Sequence, residues 1–155
     1  MLKFQKQVER IVRVLKLERM PGGVRFSESP DRKGVNRKLR ICEAFDVIMQ
    51  ENVIVNLSKE NCTCRGGRHI VGWQILPPEE LPAIFLDAKA YESKEVAEVS
   101  VSKQPHPTYR GRFLILGPLD KFETDPDVVL FFANPAQADR LLGLTSYEGA
   151  EPFMH

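Results

Sequence analysis

Val53-Ile54-Val55-Asn56-Leu57 decides the fold. The run is too short for a typical helix and too continuously apolar for a strand with one wet face. It predicts a strand buried on both sides, hence a sheet with helices packed on its faces. Just before it, residues 38–50 read as a helix. Ile41, Ala44, Phe45, Ile48 and Met49 share one face, and Cys42 borders it.

Two further runs look like buried strands: Phe113-Leu114-Ile115-Leu116 and Val128-Val129-Leu130-Phe131-Phe132. Val24-Arg25-Phe26 alternates and is a short strand candidate, with Pro21-Gly22-Gly23 read as the turn before it. An amphipathic helix is expected over residues 2–17, with Phe4, Val8, Ile11, Val12 and Leu15 inward. Residues 67–75 begin a short helix, and Pro78-Glu79-Glu80 can open another. Ser93 is placed to cap a helix over 94–102, with Val96 and Val99 facing inward. Asn134-Pro135-Ala136-Gln137 has the form of a capping box with Pro at the first helical position, and that helix should stop at Gly143. Four strands among these helices predict an α+β or α/β protein with a single mixed sheet.

The chain of 155 residues is 43% apolar and 28% charged, which fits one folded domain and excludes wholesale disorder. No apolar run approaches the roughly 20 residues of a membrane span, and residues 1–5 carry no secretory signal. Three cysteines, an odd number, point to a reducing compartment, and the expected location is the cytoplasm. Net charge is only +1, yet residues 1–40 hold 12 Lys/Arg against 4 Asp/Glu. The densest stretch runs from Arg32 to Arg40. It reads as a solvated loop or as an anion site; with no aromatics interleaved, nothing in it specifies nucleic acid.

The most unusual local pattern is Cys62-Thr63-Cys64-Arg65-Gly66-Gly67-Arg68-His69. Cys62 and Cys64, with Cys42 from the preceding helix, are candidate ligands for a metal or an iron–sulfur cluster. Arg65 and Arg68 would favour a thiolate, which supports a redox thiol equally. Gly66 and Gly67, with Arg65 and Arg68, could instead hold an anionic small molecule through backbone and guanidinium. Plain packing competes with all three readings, because cysteine is among the most buried residue types. A four-thiolate site needs one more cysteine than the chain contains, and His69 is the candidate to complete it. No hydrolase elbow, zinc-protease motif, phosphate loop or dinucleotide fingerprint is present, so whether the chain is an enzyme stays open.

In order, Cys42-Glu43-Ala44-Phe45, Cys64-Arg65-Gly66-Gly67 through Gly72-Trp73, Tyr91 to Ser93, Pro126-Asp127-Val128-Val129, Asn134-Pro135-Ala136-Gln137-Ala138 and Tyr147 resemble the ArCR (archaeal conserved region) family, a domain of unknown function. The resemblance covers most of residues 20–150. It implies a soluble prokaryotic protein, frequent in archaea and anaerobic bacteria, with no established activity. It also implies a longer protein whose C-terminal part carries further cysteines, so residues 1–155 are expected to be one domain forming its N-terminal part. Cys42 and Cys64 fit the family pattern; Cys62 does not match it. A homo-oligomer is compatible with all of this.

Overall fold

The computed structural model describes residues 5–104 and 108–147, which leaves Phe4 and His106 outside the described residues. In chain order the elements are α1 (Gln5–Leu15), β1 (Gly22–Ser27), α2 (Ile41–Glu51), β2 (Val55–Ser58), α3 (Arg65–Ile70), α4 (Glu80–Asp87), α5 (Lys94–Ser102), β3 (Phe113–Pro118), β4 (Val128–Leu130) and α6 (Pro135–Tyr147). The four strands form one sheet in the order β2-β3-β1-β4. All three ladders are antiparallel. Parallel pairing is confined to two isolated bridges, Val35 with Val55 and Leu39 with Cys62. The architecture is therefore α+β.

The sheet's two faces differ. Val24, Val55, Leu57, Leu114 and Leu116 point to one side, where Ala44 and Ile48 of α2 meet them with Val71 and Trp73 from the turn after α3. The opposite side holds a smaller cluster of Ile54, Ile115 and Phe122. There, among the described residues, no helix residue enters the cluster, and loop residue Asp31 and the segment around Phe122 pack on the sheet. Asn56 explains much of this. It is buried at 1% exposure on the second face. Its Oδ1 accepts from the Asp31 N–H at 2.9 Å and its Nδ2 donates to the Asp31 carbonyl at 3.0 Å, so a polar strand residue recruits a loop.

Pro21-Gly22-Gly23 is not a turn: Gly22 and Gly23 are the first residues of β1, which lies between β3 and β4. A side chain at Gly23 would place its Cβ 2.7 Å from the Phe122 ring, so glycine lets that ring close on the strand. The second difference is β4. Five apolar residues suggested a buried strand, but only Val128–Leu130 pair, at the sheet edge, and Val128 is 45% exposed. In α5 it is Ala97 that is fully buried, while Val96 and Val99 are half exposed. The helix packs through its smallest residue, a close approach that apolar periodicity does not reveal.

Cap chemistry was legible. Ser93 Oγ accepts from the Val96 N–H at 3.3 Å. Asn134 and Gln137 form a reciprocal box, with Asn134 Oδ1 accepting from the Gln137 N–H at 3.0 Å and Gln137 Oε1 from the Asn134 N–H at 2.9 Å. Gln137 Nε2 also donates to the carbonyls of Leu15 and Lys16, tying α6 to the end of α1. The helix does not stop at Gly143 but continues to Tyr147. We expect Asn134→Ala to cost about 1 kcal/mol in urea unfolding; an unchanged midpoint would show that the box contributes nothing.

Candidate functional site

The cysteine turn is built by short-range hydrogen bonds. Asn61 Oδ1 accepts from the Ser58 N–H at 2.6 Å, and Asn61 Nδ2 donates to the Asn56 carbonyl at 2.9 Å. The bridge to Leu39 then fixes the next residues: the Leu39 N–H donates to the Asn61 carbonyl at 3.2 Å and the Thr63 N–H to the Leu39 carbonyl at 2.9 Å. Cys64 follows in extended conformation and caps α3, its Sγ accepting from the Gly67 N–H at 3.2 Å. This is why α3 begins at Arg65, two residues before the sequence expectation: the thiol plays the role usually taken by Ser or Asp. Cys62 Sγ lies 3.8 Å from the Cys64 carbonyl oxygen, to which its S–H donates.

The three thiols have different surroundings. Cys62 is buried, Cys64 half-buried and Cys42, in the first turn of α2, exposed. Burial pushes the Cys62 thiol above the ordinary range; the S–H bond to Cys64 and the nearby Arg68 charge work against that shift but do not cancel it. The charges of Cys64 and Cys42 push the Cys62 thiol the same way as burial, and Cys64 packs against the core cluster that contains Cys62. Even so, among the described residues no group of three or more His, Cys, Asp or Glu is arranged to hold a metal ion.

The residues expected to hold an anion are largely engaged within the fold. Arg65 pairs with Glu80 of α4. The Gly67 N–H is taken by Cys64, and Gly66 and Gly67 are both buried, Gly67 against Ile41. Arg68 differs: its Nε is buried with no hydrogen-bond partner. The basic stretch from Arg32 to Arg40 is likewise tied internally. Arg37 forms a two-pronged pair with Glu51 at 2.6 and 2.7 Å, and Lys33 meets Glu123 at 2.6 Å. These surface pairs raise the pKa of both bases and lower those of Glu51 and Glu123. Such exposed pairs contribute little to stability.

His69, the candidate fourth ligand, turns away from this role: its Nδ1 accepts from the Leu76 N–H at 3.1 Å. It borders a wide groove of about 1170 Å³ reached by Leu76, Pro82 and Val101. Sequence reading missed this groove, whose residues are scattered between positions 69 and 110; the exposed Ile70 and Ile75 were its one local signal. The family described as uncharacterised ArCR, a domain of unknown function, matches residues 10–155. This chain belongs to the ArCR family. An uncharacterised protein of Methanocaldococcus jannaschii, MJ0308, is similar to it, 20% identical over 157 residues that cover 97% of this chain and 67% of that protein. No solved structure matches the chain. In this ArCR domain no helix among the described residues is long and apolar enough to cross a membrane.

Proposed function

We propose that this ArCR domain is a thiol-based binding or redox protein of the cytoplasm, with Cys64 as its reactive sulfur. The observation that supports it is the hydrogen bond from the Gly67 N–H to Cys64 Sγ, a donor that stabilises a thiolate over a thiol. Cys62 lies beside it as an auxiliary and Arg68 supplies positive charge nearby. A metal or iron–sulfur cluster would call on Cys64, Cys62 and Cys42 as sulfur ligands, but among the described residues these three are not arranged to hold a metal ion. The unpartnered Arg68 Nε favours a second reading, in which the same turn receives a small anion without chemistry.

Alkylation kinetics on the three single-cysteine variants test the proposal. Cys64 should react with iodoacetamide faster than Cys42, and Cys62, being buried, should be the slowest of the three. Anaerobic purification with metal analysis separates ligand from nucleophile. A Cys64 that reacts no faster than Cys42, in metal-free protein, would sink the proposal. Burial of Cys62 has a further consequence. Its folded pKa lies above its unfolded one, so the unfolded chain loses that proton first. Its contribution is complete below about 8.5 and is lost as pH rises through that value towards the folded pKa. Urea midpoints measured against pH should therefore fall on the alkaline side less steeply in Cys62→Ala than in the wild type.

A further inference from the structure

The groove beside α3 is independent of the thiols. Its volume, about 1170 Å³, is somewhat above the roughly 300–1,000 Å³ usual for sites that take small molecules. Ile70 and Ile75, 59% and 65% exposed, both line it and give it an apolar wall open to solvent. The polar groups around this apolar body set the chemistry of an occupant. Because His69 Nδ1 accepts the Leu76 N–H, the neutral ring carries its proton on Nε2, as a donor. Arg110 also lines the groove, its guanidinium over the Phe26 ring at 5.6 Å, and it makes no ion pair among the described residues. The two are brought to the same region because Gly72, in the turn after His69, packs directly on the backbone of Thr108 and Tyr109.

Two carboxylates also border the groove. Glu98 is already paired with Lys94 at 3.5 Å. Glu79, just before α4, is exposed and opposes a second negative charge. We infer that the groove binds an amphipathic monocarboxylate, its apolar body on Ile70, Ile75 and Val101 and its carboxylate on Arg110 with the His69 Nε2–H. A guanidinium–carboxylate contact fixes orientation, and the apolar walls supply the burial.

Calorimetric titration of the full chain with octanoate tests this, with octylamine as the charge-reversed probe. Octanoate should bind saturably and octylamine should not. Arg110→Gln should weaken octanoate binding about tenfold, the effect of one lost charge-assisted contact, and Arg110→Lys should recover part of it. Ile75→Asp, at an exposed position where folding is not at risk, should abolish binding. Cys64→Ser should bind octanoate as the wild type does, which keeps this result separate from the thiol proposal. No saturable octanoate binding at millimolar concentration, equal binding of octylamine, or an Arg110→Gln variant with unchanged affinity would each overturn the inference.

Discussion

Replacing Gly72 with alanine should destabilise the domain by about 3 kcal/mol or more, one of the two largest losses expected from a single substitution here. Two independent costs combine. Gly72 has φ +76, where an L side chain is strained, and its N–H donates to the His69 carbonyl at 2.9 Å, so that conformation is held. A Cβ there would also sit 2.6 Å from the carbonyl carbon of Thr108 and the nitrogen of Tyr109. Those atoms are backbone and cannot rotate away. The collision would push the 108–110 segment outward and pull on the buried Trp73 indole, whose N–H donates to the Gly111 carbonyl at 2.8 Å. Urea unfolding with tryptophan fluorescence reads both effects, since Trp73 is the single tryptophan. A midpoint within about 1 kcal/mol of wild type would show that the segment yields without cost.

Leu116→Ala should cost about 3 kcal/mol, within the 2–5 kcal/mol range for a fully buried leucine. Leu116 is completely buried, between Val24 and Val55 in a strand bonded on both edges. No neighbour there can collapse into the space without disturbing a ladder. Val128→Ala provides the contrast: on the edge strand, 45% exposed, it should cost under about 1 kcal/mol. Equal losses at the two positions, measured by urea unfolding with unchanged m-values, would contradict the assignment of β3 to the centre and β4 to the edge.

The candidate site was half legible. Cys64 beside Gly67 was readable because the bond between them spans three residues and local geometry delivers it. The burial of Cys62 was not, since it depends on the Leu39 bridge and on packing under α2. The engagement of Arg65 and Arg37 was equally hidden: their partners Glu80 and Glu51 lie 15 and 14 residues away, and only the fold brings them together.

Amphipathic periodicity, strand-length apolar runs and cap residues act over a few positions. By themselves they determined the face of α2, the strand character of β2 and β3, and the starts of α5 and α6. What joins distant segments was decided by tertiary structure alone. Gly22 and Gly23 look like a turn until Phe122 needs the space, and Val96 and Val99 look inward until Ala97 makes the closer contact. Val128-Val129-Leu130 has the composition of a central strand, but its position depends on which strand β1 pairs with on its other side. The groove between α3 and α5 belongs to the same class. Its residues come from separate segments, and a surface formed by their packing has no local signature in any one of them.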